Sequence, residues 1–234
     1  MRASARPDRR SACRAGSSEV YQILVNSRKA HRGKADRPLD AHVRPHYLMA
    51  VAFEDNEMDL SRIPVGENPP HEVNVIIEIP QGGAPVKYEV DKVSGAMFVD
   101  RFLHTAMFYP ANYGFIPHTL SEDGDPIDCM VIAPTPVATG AVVRARPIGA
   151  LLMEDEKGVD EKIIAVPVDK LHPFYKRVAS YRDLPEILVE QIGHFFEHYK
   201  DLEKGKWVKV VRWVEPPEAI DLIRAGIERA RRLA

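Results

Sequence analysis

The run Asp123-Gly124-Asp125-Pro126-Ile127-Asp128 places three carboxylates within six residues. Gly124 and Pro126 favour a turn there over a helix. On either side the chain becomes apolar, with Tyr113-Gly114-Phe115-Ile116-Pro117 before and Cys129-Met130-Val131-Ile132-Ala133 after. Adjacent carboxylates repel one another unless a cation or a proton resolves the conflict. Their oxygens are hard ligands suited to Mg²⁺, Mn²⁺ or Ca²⁺. A generic D-x-D is more often a solvated acidic turn, but a charge cluster at the mouth of buried strands is costly decoration. The run therefore reads as a metal site. It is not an EF-hand, which needs an oxygen side chain at position five, Gly at six and Glu at twelve. This chain offers Ile127, Asp128 and Pro134.

The fold reads outward from that turn. Val73–Ile79 is a β-rich run in which Glu78 is the one charge, and Pro80-Gln81-Gly82-Gly83 ends it in a turn. Val86–Val90 alternates, placing Lys87 and Glu89 on one face and Tyr88 on the other. Further strands are expected at Ala96–Val99, Met130–Ala133, Val142–Leu152 and Lys162–Val168. Many short strands separated by Gly/Pro turns predict a small closed β-barrel rather than a βαβ fold.

Two helices close the chain. The first is expected to start from Asp183 as N-cap, with Pro185 in the first turn and Glu186 completing a capping box. Leu188, Ile192, Phe195 and Tyr199 form its apolar stripe. A last strand is expected within Trp207–Val214. Pro216-Pro217 then opens a second amphipathic helix that buries Ile220, Ile223 and Ile227, and its C-terminal Arg229, Arg231 and Arg232 suit the helix dipole.

At 234 residues, 45% apolar and 28% charged, the chain has ordinary globular composition and can bury one full core. No apolar run approaches the roughly 20 residues of a membrane span. Cys13 and Cys129 lie far apart and suggest no disulfide framework, which fits a reducing compartment. The net charge of −2 hides an asymmetry: residues 1–48 hold 11 Lys/Arg against 4 Asp/Glu, the remainder 21 against 30. An acidic body argues against a nucleic-acid binder. Residues 1–57 lack sustained periodicity and form a basic N-terminal extension. Three readings stay open for it: a disordered tail, an Arg-rich targeting segment, or a stretch upstream of the working start, with Met49 and Met58 as alternative starts.

A second acidic group, Glu154-Asp155-Glu156 with Asp160 and Lys162, lies in a hairpin around Gly158. By itself it reads as a solvated loop; beside the Asp cluster it becomes a second bank of ligands. Lys87, Arg101, Tyr109, Tyr113, Tyr199 and Lys200 supply cations and phenols that suit phosphate oxygens. Together these are the parts of metal-assisted phosphoryl transfer. One motif competes. His194-Phe195-Phe196-Glu197-His198 matches H-x-x-E-H, an inverted zinc-protease pattern. The residues after it hold no further His, and the helical stripe already accounts for Phe195.

With these residues assembled, the chain resembles the family I soluble inorganic pyrophosphatases of the bacterial type, from about Met58 to the C-terminus. Asp123-Gly124-Asp125-Pro126-Ile127-Asp128-Cys129 fits the family signature. Ile77-Glu78-Ile79-Pro80, Lys87-Tyr88-Glu89, Asp100-Arg101, Phe108-Tyr109-Pro110, Asn112-Tyr113-Gly114, Asp155-Glu156, Asp160 with Lys162 and His194–Lys200 match its other blocks. The resemblance implies a five-stranded OB-like barrel with flanking helices over residues 58–234. It implies hydrolysis of pyrophosphate to two orthophosphates with several Mg²⁺ ions. From the all-oxygen ligand set, Mn²⁺ or Zn²⁺ is expected to substitute, and the larger, less polarising Ca²⁺ to bind but inhibit. Asp123, Asp128 and Asp160 would hold the tight metal, with Asp128 shared by its neighbour. Asp155 and Asp160 would take a metal arriving with substrate, Glu78 a further one. Asp125 would be the general base. Lys87, Arg101, Tyr113, Tyr199 and Lys200 would bind the phosphates, and Glu89, Tyr109, Glu156 and Lys162 would line the site. A cytoplasmic homo-oligomer, commonly a hexamer, with no nucleic-acid or membrane partner completes the expectation.

Overall fold

The computed structural model describes residues 60–233 apart from Val93 and Lys157. The expectations for residues 1–57, for Cys13 and for the starts at Met49 and Met58 lie outside the described residues.

Among the described residues, eight strands and two α-helices follow one another. They are β1 (Val73–Ile79), β2 (Val86–Val90), β3 (Met97–Phe102), β4 (Asn112–Phe115), β5 (Asp128–Val131), β6 (Val142–Asp155), β7 (Gly158–Pro167), α1 (Glu186–His198), β8 (Val208–Val214) and α2 (Pro216–Leu233). The ring runs β1-β4-β5-β7-β6, and the pairing of β1 with β6 closes it, so the expected five-stranded barrel is what forms. All ring pairings are antiparallel except β5 with β7. Closure leaves no unpaired edge among these strands. β8 adds to the long strand β6, and β2 and β3 make a separate two-stranded ribbon.

Side-chain alternation feeds two cores, one on each face of the strands. On β7, Ile164 and Val166 join Tyr109, Tyr113 and Met130 under α1, whose Ile192, Phe195 and Phe196 are buried. Ile163 and Ala165 join Ile127, Cys129 and Val131 under α2, against Ile223 and Ile227. Each fully buried Ile or Phe contributes about 1.5–3 kcal/mol. This double burial explains why β1 reads as a continuous apolar run rather than an alternating one. Gly114 is required where β4 crosses β1, since a Cβ there would lie 1.9 Å from the carbonyl oxygen of Ile76.

Three expectations change. α1 starts at Glu186 behind Pro185 and has no side-chain cap. The capping box belongs instead to Ser180 and Asp183, around the single 3₁₀ turn Tyr181–Asp183. Pro185 forces Leu184 into extended backbone, with ψ 156°, so no helix can run through from Asp183. β4 lies in a segment that the sequence marks only as apolar, because four residues containing a glycine carry little β signal. Ile220 is half-buried, while Ile223 and Ile227 are buried.

Candidate active site

The strands deliver the acidic residues to one end of the barrel. Asp128 opens β5 and pairs in register with Lys162 of β7. Asp155 closes β6 opposite Gly158, at the turn into β7, and Asp160 lies opposite Met153. Alternation then puts Asp160 and Lys162 on the same face of β7. The loop from Ser121 to Ile127 brings up Asp123 and Asp125, with Gly124 in the left-handed region at φ +93°. The β2–β3 ribbon contributes Lys87, Glu89 and Arg101, and the end of α1 contributes Tyr199 and Lys200.

All fifteen residues singled out from the sequence line one cavity of about 270 Å³. Asp125, Asp123, Asp128, Asp155, Asp160 and Glu78 share it with Lys87, Arg101, Tyr113, Tyr199 and Lys200, and with Glu89, Tyr109, Glu156 and Lys162. Asp100, Lys92 and Lys206 also line it. Asp100 lies beside Arg101 in one of the blocks quoted above, but no periodicity marks Lys92, in a turn, or Lys206, in the irregular stretch before β8.

Ion pairs organise the cavity. The buried Lys162 Nζ lies 2.5 Å from Asp128 Oδ2 and 2.7 Å from Asp160 Oδ1. Burial opposes its charge, but the two carboxylates outweigh it and hold the ammonium protonated. Asp160 is itself pushed up by burial, which Lys162 offsets only in part. Lys200 donates to Asp155 at 2.8 Å. Arg101 donates to Asp100 at 2.6 Å and to Glu203 at 2.9 Å, and Lys87 donates to Glu89. Lys92 reaches Asp125 at 3.0 Å, both side chains being more than half exposed. Glu78 accepts the Val90 N–H at 2.8 Å, yet burial still pushes its carboxyl up to about 8. Burial also raises the Tyr109, Tyr113 and Tyr199 phenols, which therefore stay protonated and able to donate.

The donor set at the acidic end is carboxylate oxygen throughout, which fits Mg²⁺ and does not fit a soft metal. Among the described residues no three His, Cys, Asp or Glu side chains already converge as a finished cage. The H-x-x-E-H pattern lies elsewhere. The His194 and His198 rings stand 4.5 Å apart on α1, and His198 Nδ1 is 2.8 Å from Asp201. Neither histidine lines the acidic cavity.

A closed barrel whose mouth combines hard oxygen ligands with cationic and phenolic donors is the equipment of a metal-assisted phosphoryl hydrolase. The comparisons narrow this class. Residues 75–231 match the family model "Inorganic pyrophosphatase". The inorganic pyrophosphatase of Caulobacter vibrioides is 70% identical over 172 residues, which are 74% of this chain and 97% of the relative. That of Rhodospirillum rubrum is 63% identical over 170 residues, 73% of this chain and 95% of the relative. The crystal structure of an inorganic phosphatase from Anaplasma phagocytophilum superposes with a TM-score of 0.71 at 51% identity, covering 72% of this chain and 99% of that one. The chain belongs to the inorganic pyrophosphatase family, whose members hydrolyse pyrophosphate to phosphate with Mg²⁺.

Proposed function

We propose that this chain hydrolyses inorganic pyrophosphate to two orthophosphates, using several Mg²⁺ ions and with Asp125 as general base. The observation that supports this reading is the convergence of the fifteen residues singled out from the sequence on a single cavity. Asp123, Asp128 and Asp160 hold the tight metal, Asp155 and Asp160 a metal that arrives with substrate, and Glu78 a further one. Bound Mg²⁺ supplies charge neutralisation and a lowered pKa for the attacking water.

The chain's own residues do the rest. Asp125 accepts the water's proton; it is exposed at the loop tip, and its ion-pair partner Lys92, itself in solvent, can move aside at little cost. Lys162 holds Asp128 and Asp160 at a fixed separation. Arg101 is itself locked by Asp100 and Glu203, so its guanidinium meets a phosphate preorganised. With Lys87 and Lys200 it neutralises the substrate's oxygens and the phosphate that leaves. The buried phenols of Tyr113 and Tyr199 donate hydrogen bonds without bringing charge. Glu89, Tyr109 and Glu156 line the pocket.

Mn²⁺ and Zn²⁺ substitute, and Ca²⁺ binds but inhibits, because it is larger and polarises water less. Residues 58–234 are the working domain and residues 1–57 an extension outside it, a reading supported by relatives matched over 95–97% of their length by about three quarters of this chain. The protein works as a homo-oligomer, hexameric by resemblance, in the cytoplasm. Phe98, Phe102 and Phe108, all more than half exposed, support burial against other copies. A site rich in carboxylates is unsuited to nucleic acid; no helix of the described residues is long and apolar enough to cross a membrane.

The test is phosphate release from pyrophosphate by the purified chain with and without Mg²⁺. Mg²⁺-dependent release of two phosphates per pyrophosphate is the expected result. Release that ignores Mg²⁺, or none at all, would overturn the reading.

A further inference from the structure

We infer that Arg229, on the outer helix α2, is a positioning residue that sets the spacing between the two banks of metal-binding carboxylates. This rests on the reading above of Asp123, Asp128 and Asp160 as ligands. β7 is the element that connects the two sides. Asp160 and Lys162 face the cavity, so Glu161 between them faces the opposite way and is buried. There Glu161 Oε1 accepts the Ser121 hydroxyl at 2.6 Å and lies 3.7 Å from Arg229 Nη2. Arg229 Nε in turn donates to the Leu120 carbonyl at 2.7 Å, while the Leu120 N–H donates to the Gly226 carbonyl at 3.0 Å. The peptide groups at Leu120 are thus held by α2, and the next side chain is held by β7.

Leu120 and Ser121 are where the acidic loop begins. The hold continues inward, because the Ser121 N–H donates to the Asp125 carbonyl at 2.7 Å. At the far end of the loop, Ile127 packs against Gly226 so closely that a Cβ on that glycine would lie 2.4 Å from Ile127 Cδ1. One guanidinium therefore joins three elements: α2, the strand that carries Asp160, and the loop that carries Asp123 and leads into Asp128 at the start of β5. At the tip Asp123, Gly124 and Asp125 are exposed, and the Asp125 N–H donates to Asp123 Oδ1 at 3.0 Å within the loop itself. Metal–oxygen distances tolerate only about 0.2 Å of error, so the base of the loop must be fixed relative to β7 if the banks are to share an ion. Arg suits this place better than Lys, since its planar fork can serve two acceptors at once.

The experiment measures metal binding without substrate. Mn²⁺ is titrated into the full chain and free Mn²⁺ is read by its electron paramagnetic resonance, alongside melting curves. Groups that orient ligands typically control affinity by about 10–100-fold, so Arg229→Ala should bind Mn²⁺ about tenfold more weakly while still melting cooperatively. Arg229→Lys should recover part of that loss. Gly226→Ala, which removes no polar group but pushes on Ile127 and on the Leu120 carbonyl 3.2 Å away, should also weaken binding. Arg224→Ala, which breaks only the exposed pair with Asp221 on the same helix, should bind as wild type does. Undiminished Mn²⁺ affinity in folded Arg229→Ala would overturn the clamp alone. If the wild type bound no Mn²⁺, the ligand assignment would fall and the clamp with it.

Discussion

The loop bank and the strand bank of this site hold the same functional group under opposite conditions. Asp123 and Asp125 sit on a turn, exposed, with Asp125 facing a lysine that is itself in solvent. Asp128, Asp155 and Asp160 sit at strand ends, each paired with an ammonium group that is largely buried. A carboxylate at a strand end inherits its position from the sheet's hydrogen bonds. It also inherits partial desolvation, which demands a cation. A carboxylate on a turn escapes that cost and keeps its freedom. Under the roles proposed above, the strand bank supplies charge-compensated oxygens for the metals, joined by Asp123 from the loop, and the water-accessible Asp125 takes the proton.

If the division holds, its largest consequence is on the loop side. Asp125→Asn keeps the shape but cannot accept a proton, and loss of a general base costs about 10²–10⁴ in rate. A Mg²⁺ titration of initial rates should show kcat reduced by that order while the concentration for half-activation barely moves. Rescue of this variant by excess Mg²⁺ would move Asp125 into the metal bank.

The strand bank should show its dependence on compensation. Lys162→Met strips the shared cation from Asp128 and Asp160 and should cost about 2–3 kcal/mol of stability at neutral pH, less than for a fully buried pair because both carboxylates retain some solvent. The sign with pH follows from the carboxyls. Without Lys162 the already raised Asp160 rises further, so the penalty is full above its folded pKa and vanishes as pH falls below the unfolded value. Urea melts at pH 8 and pH 4.5 should differ accordingly. A deficit that grew on acidification would contradict the pairing.

Asp128→Asn should behave unlike its neighbour three residues away. It retains a neutral oxygen ligand, so the expected change is a rise of about tenfold in the Mg²⁺ needed for half-activation, with much of the rate recovered at high Mg²⁺. A loss of rate that Mg²⁺ cannot recover would exchange the roles of the two aspartates.

The smallest expected effect lies outside both banks. Removing residues 1–48 should leave Mg²⁺-dependent activity and melting temperature essentially unchanged. A rate loss of more than about tenfold, well beyond the usual effect of changes away from packed or charged features, would bring the extension into the working fold.

Much of this was legible before any coordinates. The turn chemistry of Gly124 and Pro126 and the short strands between Gly/Pro turns are local properties, encoded over a few residues. The carboxylates that a buried neighbourhood would not carry without a use are equally visible, and so is the stripe Leu188, Ile192, Phe195, Tyr199. These sufficed for the barrel, its helices and the chemical character of the site, and the match of ordered blocks then assigned roles. What stayed hidden is what depends on residues far apart in the chain. β4 became visible only through its partners β1 and β5. The cap placed at Asp183 moved because Pro185 breaks the chain's path, so that Ser180 and Asp183 cap a shorter turn. Lys92 joins the site only because the β2–β3 ribbon brings it to Asp125, 33 residues on. Arg229 looked like one charge in a basic helix end until the tertiary structure set it against Leu120, 109 residues away. Propensity and pattern are read along the chain, whereas the distances that decide a ligand set are made by strand register and helix docking, which no local signal records.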